Sequence, residues 1–431
     1  MSVEEIESVE QFRARARAWI RANLQPIGSD HRGRMALRPD DEELAEVAED
    51  RRLQRLLYDN GLAGICFPKE YGGQGLTRAH AEAFDEEIDG YRFPERVQVP
   101  NMTPCATVIL EFGTEEQKLL HLPRIMRGEE LWMQFLSEPG SGSDVAGAKV
   151  SAVRDGDDWI LNGSKIWTTG AWWSDWGLCL ARTNWDVPKH RGLTVFMVPI
   201  HQDNIEISRI EMLDGSKEFC QEFLTDVRVP DTDRIGGIDD GWTVTTRWLM
   251  HERSFTSSPY AVHALGGDGE LGPAAGEAAD HLLTLLDRSG RADDPAAREQ
   301  IGEAYTLQIA MRELNTRLHA LAGSGKGSDQ LASVGRLMHG VGAGRLMTIL
   351  FELGGQDAVA SDADDELFSN LGTRFLLRQV ASIGGGTTEI ARNLISERVL
   401  GMPRELALDR NVPYREVRSA PSGGSSASRR S

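Results

Sequence analysis

Apolar side chains recur at helical spacing in the first third of the chain. Within residues 9–20 they lie three or four positions apart, as on one face of a helix, and Pro26 ends that pattern. A second apolar stripe over residues 53–57 stops at Asn60-Gly61, a pair that ends helices. The pattern therefore predicts an N-terminal helical domain over residues 1–133.

The spacing changes in the middle third, where apolar and β-branched runs are short and bounded by turn residues. Runs that predict strands are 193–200, 205–207 and 219–229. Within residues 159–167, Asn162-Gly163 separates two β-prone arms, and this dipeptide predicts a hairpin turn. The sequence thus predicts a middle all-β domain, a barrel or a sandwich, over residues 134–240.

Helical spacing returns after residue 240. Two apolar faces, within residues 301–318 and 331–341, predict a C-terminal helical bundle domain over residues 241–405. Residues 406–431 are rich in Ser, Gly and Arg, which predicts a disordered tail. Because strands and helices do not alternate along the chain, a doubly wound sheet is excluded, and the predicted class is α+β multidomain.

Composition narrows the choice of partners. The chain has 431 residues, 40% of them hydrophobic, so it is long enough for more than one core. Its formal net charge of −19 argues against a nucleic-acid partner and against an acidic membrane surface. An anionic ligand such as coenzyme A is still compatible, because a few placed arginines set the local potential.

Cysteine usage and the chain ends bear on location and metals. The four cysteines are scattered without a CxxC pair, so neither a zinc site nor a redox dithiol is predicted. No apolar run reaches the roughly 18–20 residues that cross a bilayer. The acidic N-terminus lacks the basic and apolar regions of a secretory signal. We therefore expect a cytoplasmic protein with free thiols and no stable membrane association.

Three segments have patterns that suit a ligand site. Residues 134–144 run from a predicted strand into a loop of glycines and serines, where a ligand approaches backbone N–H groups. Residues 165–170 place a tryptophan near the end of a β-prone arm, and residues 384–389 put glycines before a predicted helix, an anion-binding arrangement. Taken singly, each is more typical of an ordinary turn, a helix cap or a core position than of a ligand site.

Taken together, the three segments resemble the flavin motifs of the acyl-CoA dehydrogenase family, in the same order. Residues 137–144 closely match the family's TEPGAGSD motif, and residues 167–169 match its Trp-x-Thr. Matching segments extend from about residue 55 to 403, and the resemblance implies the family's fold and a bound FAD. It assigns the flavin contacts to Gln134, Leu136, Ser137, Gly142, Ser143, Trp167, Thr169, Thr387 and Glu389.

The same resemblance identifies a candidate base. In many members the residue before Gly-Thr is the glutamate that removes the substrate α-proton, but here it is Gly385. Residues 249–253 resemble the isovaleryl- and long-chain-type members, which place their glutamate on a helix just before an arginine. The resemblance therefore assigns catalysis to Glu252 and substrate contacts to Ser143, Arg253 and Gly385. From the residues alone, Glu252 is equally consistent with a solvated acidic side chain.

The function implied is FAD-dependent α,β-dehydrogenation of an acyl-CoA, with electrons passed to an electron-transferring flavoprotein. The implied assembly is a homotetramer, or a heterotetramer with a related subunit. The family's Arg-x-x-Phe-Gly segment, which reaches a neighbouring subunit's flavin, is not found between residues 285 and 305. Two alternatives stay open: a non-catalytic or partner-dependent subunit, and a flavin oxidase or monooxygenase on the same scaffold. Chain length, branching and steroid nature of the acyl group are not fixed.

Overall fold

The computed structural model describes residues 6–28, 37–253, 258–262, 275–323, 331–360, 366–407 and 409–417. Its first part is helical, as predicted. The helices there are α1 (Val9–Asn23), α2 (Asp40–Asp59), α3 (Arg78–Ile88), α4 (Glu95–Val97), α5 (Thr107–Phe112) and α6 (Glu115–Met126). Ser8 and Gln11 form a capping box at the start of α1, and the apolar stripe of α1 packs against α3. Between α4 and α5 lies an irregular helical segment, Gln98–Ala106.

The middle part is a single sheet, which confirms the predicted β domain. Its strands are β1 (Trp132–Phe135), β2 (Ser151–Asp155), β3 (Asp158–Thr169), β4 (Trp176–Arg182), β5 (Leu193–Pro199), β6 (Ile205–Arg209), β7 (Phe219–Pro230) and β8 (Arg234–Ile235). The order is β6-β7-β3-β2-β4-β5-β8, and β1 pairs in parallel with β4. Strands β4 and β5 are mostly apolar because alternate residues enter two cores, one on each face.

The predicted hairpin at Asn162-Gly163 is wrong. Residues on both sides of this pair belong to β3, which runs antiparallel to β7 along its length. The register shifts between Leu161 and Gly163, and the Asn162 side chain exchanges two hydrogen bonds with Asp226 of β7, at 3.0 and 2.9 Å. Because both arms pair with β7 rather than with each other, tertiary pairing overrides the turn preference and leaves a β-bulge.

The last part is helical again, which confirms the predicted C-terminal helical domain. Its helices are α7 (Gly241–Arg253), α8 (Ala275–Arg288), α9 (Pro295–Gly323), α10 (Ala332–Gly354), α11 (Asp357–Ala360), α12 (Glu366–Leu377) and α13 (Thr388–Leu394). Helices α8 to α12 share one apolar core, which includes Leu285 and Ile349. Within the described ranges, no helix combines the length and the apolar character that a membrane span requires.

The end of the chain differs from the predicted disordered tail. Residues 409–417 lie against the middle domain, where Tyr414 stacks on Trp185 with ring centroids 5.6 Å apart. The composition of residues 406–431 is polar, but this short stretch contains an aromatic and a proline that the middle domain binds. Residue 408 and residues 418–431 lie outside the described residues, so the prediction is not tested there.

Candidate active site

The first two motifs lie side by side. The backbone N–H of Ile166 on β3 donates to the carbonyl of Ser137, at 3.0 Å, just beyond the end of β1. The Thr168 hydroxyl donates to the carbonyl of Gln134 at 3.4 Å. The structure therefore brings the predicted flavin contacts of β1 and its following loop next to those of β3.

Trp167 has an unusual setting within this region. It has a φ of +65°, which is uncommon for a residue other than glycine, and its side chain is 52% exposed. The register of β3 against β7 shifts between Ile166 and Thr168, so a bulge turns the indole away from the core. A strained backbone that exposes a large aromatic ring is typical of a functional position rather than of a core position.

Space for a ligand lies beside the loop that follows β1. Gly142 and Ser143 are exposed, and a Cβ placed on Gly142 meets no other atom within 4 Å. Thr169, at the end of β3, is half-buried. A planar ring system with a phosphate-bearing tail, such as FAD, fits an exposed indole beside hydroxyl groups and a loop of small residues.

The base of this loop is held by a buried carboxylate. Glu138 accepts hydrogen bonds from the backbone N–H groups of Lys149 and Val150, at 2.6 and 2.9 Å. It also pairs at 2.8 Å with Lys165, which is fully buried and donates to the carbonyls of Leu136 and Leu180. Because every charge has several partners, the pair is a rigid support for the loop.

Helix α7 carries the other half of the site and is tied to both earlier domains. Arg247 pairs with Glu111 of α5 through two hydrogen bonds, at 2.8 and 2.7 Å, and His251 contacts the same carboxylate at 2.9 Å. The fully buried Trp248 donates its indole N–H to the side chain of Gln134 on β1. These contacts fix the end of α7, where Glu252 follows Trp248 by one helical turn.

Glu252 is half-buried, not solvated. Burial raises the pKa of its carboxyl group, and the charges of Arg253 and Arg336 oppose that rise only in part. Burial raises the pKa of the Cys105 thiol in the Gln98–Ala106 segment, and the charge of Glu252 adds to that rise. Within the described ranges, the Glu252 carboxylate accepts no hydrogen bond.

The 384–386 loop meets the same two arginines. Arg336 of α10 donates to the carbonyl of Gly386 at 3.0 Å and to that of Gly384. A Cβ on Gly385 would lie 3.7 Å from Nε of Arg336, and a Cβ on Gly386 would lie 3.7 Å from Nε of Arg253. Positions 252 and 385, which are 133 residues apart in sequence, thus both border Arg336, and Arg253 lies beside the adjacent Gly386.

Thr387 and Glu389, the predicted flavin contacts at the start of α13, contact nearby residues of the same helix. Thr387 caps α13 by accepting a hydrogen bond from the N–H of Ile390 at 3.2 Å. The side chain of Glu389 is 76% exposed and lies 3.6 Å from Arg392 on the next turn. Their predicted roles therefore stay predictions, whereas the contacts described above bring Gln134 and the end of α7 together.

Sequence reasoning missed two residues of this site. Arg336 lies between apolar positions on a helix more than 80 residues beyond Glu252, and nothing in its neighbourhood marks it as part of a site. Glu111 lies in the N-terminal domain before a Gly-Thr helix start, and it resembles any exposed acidic residue. Only tertiary packing brings either of them to Glu252.

Comparisons with known proteins identify the family of this chain. Models of the N-terminal, middle and C-terminal domains of acyl-CoA dehydrogenases match residues 7–129, 134–227 and 239–400. The acyl-CoA dehydrogenase IpdE1 of Mycobacterium tuberculosis is 33% identical over 401 residues, 93% of this chain and 99% of the relative. The acyl-CoA dehydrogenase FadE34 of the same organism is 34% identical over 84% of this chain, which spans 47% of FadE34.

Solved structures agree in fold. The Tcur3481-Tcur3483 steroid ACAD has a TM-score of 0.70 at 25% identity, with 94% of this chain and 100% of that chain covered. The ChsE4-ChsE5 complex from Mycobacterium tuberculosis gives the same four values. With all three domain models matched in order, the chain belongs to the acyl-CoA dehydrogenase family of FAD-dependent oxidoreductases.

Proposed function

We propose that this chain dehydrogenates an acyl-CoA thioester to the 2-enoyl-CoA and that Glu252 removes the α-proton. The observation that supports this most is the setting of the Glu252 carboxylate. It is half-buried, it accepts no hydrogen bond within the described ranges, and it shares Arg336 as a neighbour with Gly385. A carboxylate with free lone pairs and reduced hydration is a stronger base than one in water.

The arginines and the glycine loop complete the proton transfer. As the α-proton moves to Glu252, negative charge develops on the thioester oxygen, and nearby cations and fixed N–H groups stabilise it. Arg253 and Arg336 supply the cations, and we assign the N–H groups to the 384–386 loop. In this assignment Arg336 also holds the loop in place, because its guanidinium donates to the carbonyl oxygens of Gly384 and Gly386.

The cofactor's contribution is separate from that of these residues. Bound FAD supplies the acceptor for the hydride of the β-carbon. We assign its binding to Gln134, Leu136, Ser137, Gly142, Ser143, Trp167, Thr169, Thr387 and Glu389. Ser143, Arg253 and Gly385 are assigned to the substrate, so that Ser143 lies between the two ligands.

Partners follow the same proposal. We propose that electrons leave to an electron-transferring flavoprotein and that the chain works in a tetramer, either of identical subunits or with a related one. Support for a mixed assembly comes from the two solved structures named above, since one is a complex of ChsE4 with ChsE5. A steroid-derived acyl group is the first candidate substrate, because the other of these structures, Tcur3481-Tcur3483, is a steroid ACAD.

Anaerobic titration with acyl-CoA thioesters tests the proposal. The purified protein is mixed with straight, branched and steroid-derived acyl-CoAs, and the flavin absorbance near 450 nm is recorded. We expect bleaching with at least one thioester and little oxygen uptake when air is admitted. Bleaching that requires a co-expressed related subunit would instead support the partner-dependent alternative. Rapid oxygen consumption would support an oxidase or monooxygenase.

A further inference from the structure

The loop of residues 140–147, which contains Ser143, is held from a second side by the far end of the chain. We propose that the C-terminal segment, residues 409–417, positions this loop for FAD and acyl-CoA, with Tyr414 as the positioning residue. The proposal rests on the assignment of Ser143 to the two ligands made above. It adds to that assignment a residue more than 260 positions away in the sequence.

Tyr414 reaches the loop directly. Its hydroxyl donates to the carbonyl of Gly147 at 2.6 Å, at the end of the loop. Its ring lies over the guanidinium of Arg182, with 3.9 Å between the ring centroid and Cζ. The side chain therefore combines a hydrogen bond to the loop with a cation–π contact to the residue beneath the loop.

Arg182 carries the second part of the linkage. It is fully buried at the end of β4, and it donates to the carbonyls of Ala148 and Ala146 at 2.9 and 2.7 Å. Burial lowers its pKa to about 10, while the negative charges or dipoles of Tyr414 and nearby acids favour the charged form. A buried cation held by carbonyls depends strongly on each remaining partner, because an unpaired charge is costly to bury.

A third contact ties the segment to the residue after Ser143. The Lys189 ammonium lies 3.0 and 3.1 Å from the two carboxylate oxygens of Asp144. The same ammonium is 3.9 Å from the carboxylate of Asp409, in the C-terminal segment. One lysine thus joins both ends of the linkage, although its pairing at the surface is weaker than that of Arg182.

The segment itself is docked through its backbone. Pro413 forms an isolated antiparallel bridge with Pro188, and the N–H of Tyr414 donates to the carbonyl of Val187 at 2.9 Å. The N–H of Arg415 donates to the carbonyl of Trp185 at 3.1 Å. These bonds place Tyr414 over Arg182.

The consequence for binding follows from the exposure of the loop. Gly142 and Ser143 are exposed, with few neighbours to hold them. An apparent dissociation constant rises in inverse proportion to the fraction of molecules whose loop is in the binding geometry. Removing Tyr414 lowers that fraction and so weakens FAD and acyl-CoA binding, but it leaves the chemistry at Glu252 unchanged in molecules that bind.

Three single variants of the full chain test the proposal: Tyr414→Ala, Tyr414→Phe and the control Arg415→Ala. Arg415 belongs to the same segment, but its pair with Asp186 is exposed on both sides. The measurements are the dissociation constant of FAD in reconstitution of apoprotein, the flavin absorption spectrum, and KM and kcat. We expect Tyr414→Ala to raise the FAD dissociation constant and KM about tenfold, with kcat within about twofold.

The other two variants sharpen the outcome. Tyr414→Phe keeps the ring over Arg182 and loses only the bond to Gly147, so we expect a rise of about threefold. Arg415→Ala is expected to match the wild type. A folded Tyr414→Ala protein with wild-type FAD and substrate affinity overturns the proposal. If that variant does not fold, Tyr414→Phe decides, and equality with Arg415→Ala overturns it.

FAD affinity also separates this proposal from the proposed function. Binding of the cofactor to apoprotein does not require a base, so the effect of Tyr414→Ala on FAD is expected even if Glu252 is not the base. Conversely, unchanged FAD affinity together with substrate-dependent bleaching would reject the role of Tyr414 and leave the dehydrogenase assignment intact.

Discussion

Two shielded carboxylates, one beneath the loop after β1 and one at the end of α7, differ in their hydrogen-bond partners. Glu138, beneath the loop after β1, accepts two backbone hydrogen bonds and pairs with the buried Lys165. Glu252, at the end of α7, accepts no hydrogen bond within the described ranges and has arginines only as electrostatic neighbours. The first carboxylate accepts hydrogen bonds at both oxygens, whereas the second keeps its lone pairs available.

This difference distinguishes a carboxylate that supports the fold from one that is available for a reaction. A fully paired buried carboxylate contributes to a fixed geometry, and its removal leaves charged or polar partners uncompensated. A shielded carboxylate without hydrogen bonds costs stability, and proteins retain such a group where a reaction uses it. The same residue type thus supports the loop after β1 in one place and is proposed to act as a base in the other.

The largest expected effect comes from Glu252→Gln. Removing the proposed base should lower kcat/KM by up to about 10⁴-fold, while the flavin stays bound. Stopped-flow reduction with excess acyl-CoA and the flavin spectrum measure both quantities. Turnover close to that of the wild type in the flavin-loaded variant would contradict the assignment of Glu252.

Breaking the Glu138–Lys165 pair should affect folding instead. Lys165→Met leaves the Glu138 carboxylate buried without its cation, and we expect a loss of about 3–5 kcal/mol in the free energy of unfolding. Denaturant unfolding of the holoprotein measures the change. The double variant Glu138→Gln with Lys165→Met is the control, and it should lose less than the sum of the two single losses. Additive losses would mean that the pair does not act as a unit.

The shared neighbour Arg336 allows a transfer test between positions 252 and 385. Gly385→Glu in a Glu252→Gly background should restore roughly tenfold over the background alone, because both positions border Arg336 and Arg253 lies beside the adjacent Gly386. Recovery is expected to be partial, since Gly385 has a φ of +68° and a glutamate there is strained. Gly384→Glu in the same background is the matched control. An equal gain from both glutamates would reject a specific geometry at position 385.

The pH dependence gives the smallest effect, because it changes a protonation state without removing a group. Burial raises the pKa of Glu252, so kcat/KM should fall as the pH is lowered, with an apparent pKa above the value of about 4.3 for glutamate in water. Glu252→Asp, which keeps a carboxyl group, provides the comparison profile. An apparent pKa at or below about 4.3 on the acidic side of the kcat/KM profile would mean that the titrating group is exposed to water.

The same raised pKa predicts a change in stability of known sign. The folded protein binds the Glu252 proton more tightly than the unfolded chain, so this group's contribution to stability falls as the pH rises from about 4.3 through the raised pKa. At neutral pH, Glu252→Gln should therefore unfold at a higher temperature than the wild type, the reverse of Lys165→Met. Calorimetry of both variants measures the two signs together.

Much of the architecture could be predicted from the sequence, because hydrophobic spacing is a local property. The periods of α1 and of the runs that became β5, β6 and β7 predicted the three-part order correctly. The hairpin prediction at Asn162-Gly163 failed because pairing with β7, whose residues lie 50 or more positions away in sequence, decides the conformation of both arms. The tail prediction failed for residues 409–417 because docking on the middle domain is likewise non-local.

The site was predictable only where a residue lies within a recognisable motif. Ser137, Trp167 and Glu252 could be selected from the sequence for that reason, although their roles stay predictions. Arg336, Glu111 and Tyr414 could not be, since each joins the site through a contact with a distant segment. A residue that lies outside any recognisable motif gives no sequence signal for such a contact.

The exposed indole of Trp167 also has an experimental use. All ten tryptophans lie in the described ranges, and Trp167 is the one whose side chain is more than half exposed. A flavin covering that ring would quench its emission by energy transfer, while the nine others respond less to a change at this surface. The difference in emission between the wild type and Trp167→Phe would then report how much cofactor is bound. This measurement requires no substrate or electron acceptor.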